Sequence, residues 1–159
     1  MRLRSGWQTP VVRARDLTQS ASAVRPGADA ALALKTLASS GLPGLVVDAG
    51  GSFVVVPASQ VLRVVLPRYV LDDPALGRVW DEVSADGLAD RLAGRHVSDL
   101  IDALGWDDNG PRHMVDGDAT VVEIAAVMAA AHVPLVAVVD RGTLLGVVTV
   151  NRLIQHLTP

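Results

Sequence analysis

Residues Val115–Leu153 read VDGDATVVEIAAVMAAAHVPLVAVVDRGTLLGVVTVNRL. Thr120 and Glu123 form a T-x-x-E pattern, in which each side chain caps the other's backbone N–H at a helix start. Ile124, Val127, Met128 and Ala131 then share one face of that helix. Val133-Pro134 ends it, because the residue before a proline is pushed out of the helical region. Leu135–Val139 and Leu144–Val148 are short, β-branched runs around Asp140-Arg141-Gly142, a hairpin signature. A second helix follows the second run.

The same order of features stands 91 positions earlier, where Val24–Leu62 reads VRPGADAALALKTLASSGLPGLVVDAGGSFVVVPASQVL. Asp29 is the matching cap, with Leu32, Leu34 and Leu37 expected on the inner face of its helix. The strands of this copy are Leu45–Val47 and Phe53–Val56, around the longer turn Asp48-Ala49-Gly50-Gly51. Each copy is too small to bury its own apolar strands, and two packed together are not. Val97-Ser98-Asp99-Leu100-Ile101 opens the second copy as Ala14-Arg15-Asp16-Leu17-Thr18 opens the first. Between the copies, Asp73-Pro74 signals a helix start, with Leu76, Val79, Trp80 and Val83 on one apolar face. A further helical piece, Leu88–Leu92, follows Gly87. The polar insert Gly105–Pro111 reads as a loop. The expected division is a first repeat with an N-terminal extension over 1–66, a helical connector over 67–94 and a second repeat over 95–159.

Composition narrows the functions available. Half of the 159 residues are hydrophobic but only 3% are aromatic, so the core is aliphatic. A net charge of −3 without a basic block argues against nucleic-acid binding. There is no cysteine, which removes thiolate metal sites and thiol nucleophiles and suits a reducing cytosol. The N-terminus is basic without a signal-like apolar stretch, and runs such as Val133–Val139 fall far short of the roughly 20 residues of a membrane span. A cytoplasmic chain without direct membrane insertion is expected. His96, His113, His132 and His156 share no metal spacing, the one lysine is Lys35, and Asp72-Asp73 and Asp107-Asp108 lie in turn-like contexts. No catalytic residue and no metal site is expected, and the chain reads as a non-enzyme.

The order x-D-L, extended start, helix, hydrophobic-Pro, hairpin, G-h-h-T, helix resembles the CBS domain, named for cystathionine β-synthase. The second copy carries it in Val97–Ile101, Val133-Pro134 and Gly146-Val147-Val148-Thr149, and the first copy is degenerate. The resemblance implies a mixed α+β fold, with two β-α-β-β-α repeats packed as a pseudo-two-fold CBS pair, or Bateman module. It further implies a regulatory protein, a homodimer, and a cleft for AMP, ADP, ATP or S-adenosylmethionine. Binding there would control a partner such as an enzyme or a transporter.

The family's ligand motif is G-h-h-(Thr/Ser)-x-x-(Asp/Asn). Gly146 and Thr149 match it, Arg152 stands at the acidic position, and Asn151 lies one residue early. The corresponding residues of the first copy are read as Val55, Ala58 and Val61. A guanidinium has donors only, so Arg152 cannot grip ribose hydroxyls as a carboxylate does, but it can pair with a phosphate or carboxylate. Arg152 is therefore either an anion ligand or a solvated helix-start arginine, and Thr149 either a ligand contact or a helix cap. Val133 and Pro134 lie where the family lines its cleft, with His132 beside them. Two functions follow: a sensor of a small anionic, adenosine-type ligand, or a ligand-free interaction and dimerisation module with closed sites.

Overall fold

The structure, a computed structural model, describes residues 10–79, 87, 90–105 and 113–158. In chain order its elements are α1 (Ala14–Leu17), α2 (Ala30–Ser40), β1 (Gly44–Asp48), β2 (Phe53–Pro57), α3 (Ala58–Val65) and α4 (Arg68–Asp72), a 3₁₀ segment (Pro74–Val79), then α5 (Val97–Ala103), β3 (Met114–Asp116), α6 (Val121–Ala131), β4 (Leu135–Asp140), β5 (Thr143–Thr149) and α7 (Val150–Leu157). The β4–β5 hairpin closes on Arg141 and Gly142, both at positive φ (51° and 79°), the pattern of a type I′ turn. The cap on α6 forms as its spacing predicts: Glu123 Oε2 accepts from Thr120 N–H at 2.6 Å and Thr120 Oγ1 from Glu123 N–H at 3.2 Å. Asp29 caps α2 by accepting from Leu32 N–H.

β3 runs parallel to β4, with Val115 opposite Val138, and β5 closes the sheet antiparallel. The first repeat repeats this with less: β1 and β2 pair antiparallel, and Val24 alone forms the parallel bridge to Val47. The hairpin registers correct the sequence alignment by one residue. Val47 faces Val54 and Gly44 faces Pro57, whereas Val138 faces Gly146 and Leu135 faces Thr149. The counterparts of Gly146, Thr149 and Arg152 are thus Val54, Pro57 and Gln60, not Val55, Ala58 and Val61. A bulge between Val138 and Val139 adds a residue to the second hairpin, and the two turns differ in length.

Strand alternation splits the core. Val46, Phe53 and Val55 face the second repeat and join Val136, Val138, Val147 and Val148 in one apolar cluster. Leu45, Val47 and Val56 face the other way, under Ala33 and Leu37 of α2 and Val61 of α3. The buried stripe of α2 is Ala30, Ala33 and Leu37. Leu32, expected inside, is 63% exposed because it lies off that three-then-four spacing. The Asp73-Pro74 signal does open a helical segment, with Asp73 Oδ1 accepting from Ala75 N–H, but the segment is 3₁₀. Its Leu76 and Val79 are exposed, so the described part of the expected apolar face is unburied. Trp80, Val83, Leu88 and the insert residues Trp106–Pro111 lie outside the described residues.

The opening segments of the two repeats are exchanged. Ala14 and Arg15 donate backbone N–H groups to the carbonyls of Ala119 and Gly117, so α1 sits on the second repeat. Val97 and Ser98 donate to Ala28 and Pro26, so α5 sits on the first. These are equivalent bonds in the two halves. Asp16 and Asp99 hold the two turns alike, accepting from the N–H of Arg13 (2.9 Å) and His96 (2.8 Å).

Candidate functional site

Helix α6 ends at His132, whose backbone is left-handed (φ 54°, ψ 43°) and whose N–H bonds the Met128 carbonyl. The equivalent end of α2 is Gly41, at φ 71°. Glycine enters this region freely, whereas a residue with a Cβ is strained there by about 1 kcal/mol. The chain then turns through Val133 and Pro134 into β4, and the Pro134 carbonyl accepts from Val150 N–H, tying the start of α7 to the same elbow. Pro43 and Ala58 form the matching bond in the first repeat.

Against this elbow lies a cleft of about 550 Å³, within the size range of small-molecule sites. The second repeat lines it with His132, Val133 and Pro134, with Ala125, Met128 and Ala129 of α6, and with Val150 and Leu153 of α7. The first repeat contributes Pro57, Ser59 and Gln60, the positions equivalent to Thr149, Asn151 and Arg152. Of the residues singled out from sequence, the cleft therefore gathers His132, Val133 and Pro134. Thr149, Asn151, Arg152 and Gly146 are not among the lining residues.

Those four have other surroundings. The Thr149 hydroxyl is buried and caps α7, accepting from Arg152 N–H at 3.1 Å. Asn151 and Arg152 are exposed on the first turn of α7. Gly146 is buried in β5 at φ 154°. A Cβ on it would clash with the Gln19 carbonyl oxygen and lie 3.1 Å from the Thr18 Cβ. Gln19 and Val147 exchange both backbone hydrogen bonds beside it, so glycine is needed for close approach of two chains.

Sequence reasoning missed Pro57, Ser59 and Gln60 because the one-residue register slip placed Ala58 and Val61 at the motif positions. It also passed over His113. That imidazole is 1% exposed, its Nδ1 accepts from Val55 N–H at 2.9 Å, and its own carbonyl accepts from Ala137 N–H. His113 thus joins the two sheets, and burial pushes its pKa down to about 4. Among the described residues no cluster of three or more His, Cys, Asp or Glu could hold a metal ion, and no helix is long and apolar enough to cross a membrane.

Two β-α-β-β-α units with exchanged openings, packed sheet against sheet around this cleft, define a CBS pair. The CBS domain model matches residues 109–158, in the second repeat. The chain resembles a CBS domain-containing protein of unknown function from Kribbella flavida at 42% identity, over 92% of this chain and 99% of that one, with a TM-score of 0.71. The CBS domain of a membrane protein from Sphaerobacter thermophilus (22% identity, 91% and 87% of the two chains, TM-score 0.64) shares the fold. So does CBSX2, solved in complex with AMP (19% identity, 91% and 95%, TM-score 0.60). No curated protein sequence matches. The chain belongs to the CBS-domain family.

Proposed function

We propose that the chain is a non-catalytic, cytosolic regulatory CBS pair that binds an adenosine-bearing ligand between its repeats and passes the event to a partner protein, an enzyme or a transporter. The cleft that brings Pro57, Ser59 and Gln60 to His132, Val133 and Pro134 carries this reading, because a ligand seated there touches both repeats and biases their relative position. The AMP complex of CBSX2 supports the ligand class. In this reading 1–66 and 95–159 are the repeats and 67–94 the connector. Thermal-shift and calorimetric titration with AMP, ADP, ATP and S-adenosylmethionine tests it. At least one is expected to raise the melting temperature, and no response at millimolar concentration from folded protein overturns the reading.

A second reading, an interaction and dimerisation module, is favoured by a different observation. Leu62 on α3 and Ile154 on α7 are equivalent positions, and both are about half exposed (55% and 50%). With Leu157 and Val122 they leave apolar side chains on the outer helices. A homodimer by light scattering is expected, and a monomer at high concentration would remove it.

A further inference from the structure

We infer that the inter-repeat cleft selects an uncharged, flat ligand, and that His132 is its specificity-determining contact; this rests on the ligand-binding reading above. Its lining holds no Lys, Arg, Asp or Glu among the described residues. The one arginine the sequence offered, Arg152, is exposed elsewhere, and the matching position inside the cleft is the neutral amide Gln60. Arg63 donates to Gln60 Oε1 at 3.3 Å and lines a separate groove. A phosphate in the cleft would therefore exchange water for a site without a cation, which costs more than it returns. The walls suit a ring instead. Ala125 and Ala129 stand one turn apart and leave a smooth face, Pro57 and Pro134 are flat, and the Met128 thioether favours an aromatic edge. The polar groups are few and neutral: the Ser59 hydroxyl, the Gln60 amide and the His132 imidazole. His132 keeps a left-handed backbone where the first repeat uses Gly41, so the strain falls on a residue that lines the cleft.

Adenosine and AMP differ only in the phosphate, and calorimetry of both on the full chain tests the inference. Adenosine is expected to bind more than threefold tighter than AMP, and Arg152→Ala to change neither affinity. His132→Gly is expected to weaken both ligands about tenfold, the loss of one hydrogen bond to the bound ligand. The same variant should melt about 2 °C higher without ligand, since it removes the backbone strain. A residue with a merely structural role would not lower affinity while raising stability. AMP binding within threefold of adenosine or tighter, or His132→Gly leaving affinity intact, overturns the inference and leaves the regulatory reading standing. Failure of adenosine and AMP to bind folded protein at millimolar concentration overturns this inference, and failure of ADP, ATP and S-adenosylmethionine as well overturns the regulatory reading with it.

Discussion

Val55 and Val147 occupy the same place in the two hairpins, yet their N–H groups end on different acceptors. Val147 donates to the carbonyl of Gln19 and receives the return bond from Gln19 N–H. Val55 donates to the imidazole of His113. A main-chain partner has to lie alongside the strand, so the residue before Val147 must be Gly146. A side-chain acceptor reaches the strand by its tip, and the residue before Val55 can be Val54. The glycine of the G-h-h-T motif is thus demanded by chain packing before any ligand is considered. Its loss in the first repeat records a change of partner across the interface.

The comparison can be broken at three strengths. Gly146→Ala should cost about 3 kcal/mol or more, since the new Cβ meets backbone and the φ suits only glycine. Val54→Gly should cost about 1 kcal/mol, the ordinary cost of glycine in a strand. Urea unfolding measures both, and an alanine at 146 tolerated as easily as the glycine at 54 would refute the packing account.

The His113 side should show in pH. Its folded pKa, about 4, lies below the ordinary 6.5. Between these values the unfolded chain takes up a proton that the folded chain refuses, so stability is full above pH 6.5 and falls as the pH drops towards 4. The loss is about 2–3 kcal/mol. His113→Asn, whose amide oxygen can accept from Val55 N–H without titrating, should flatten that slope in unfolding measured from pH 7 to 4.5. A slope that survives in the variant would exclude His113 as its source.

The smallest effect falls on the caps. Thr149→Ala should lose about 1 kcal/mol and Thr149→Ser only a few tenths, because the hydroxyl serves the N–H of Arg152. A neutral alanine variant would refute the capping role and erase this difference between the two repeats, since Pro57 caps nothing with its side chain.

Local rules carried much of this architecture. Thr120 with Glu123, Asp29, and Asp140-Arg141-Gly142 each declare an element within four residues, and all three elements form. The x-D-L openings are equally local, since Asp16 and Asp99 each bond a backbone three residues away. What stayed hidden was long-range or a matter of register. The Val55 partner of the His113 imidazole is 58 residues distant. The bulge at Val138 and Val139 has no residue signature, yet it shifts the motif by one position and replaces Val61 by Gln60 in the comparison with Arg152. For the site, His132-Val133-Pro134 was legible as a helix end beside a cleft, whereas the opposite wall was not, because it depends on how the hairpins are slipped.

The exchange of α1 and α5 has one more consequence. Each half presents its own hairpin but is closed by the other half's leading turn, bonded main chain to main chain. A copy of either repeat excised on its own would carry its opening turn with nothing to dock on, and would leave open the groove its partner normally plugs. The two halves therefore behave as a split protein that happens to be joined. Separating the two halves would break backbone bonds on both sides, Ala14 and Arg15 on one and Val97 and Ser98 on the other.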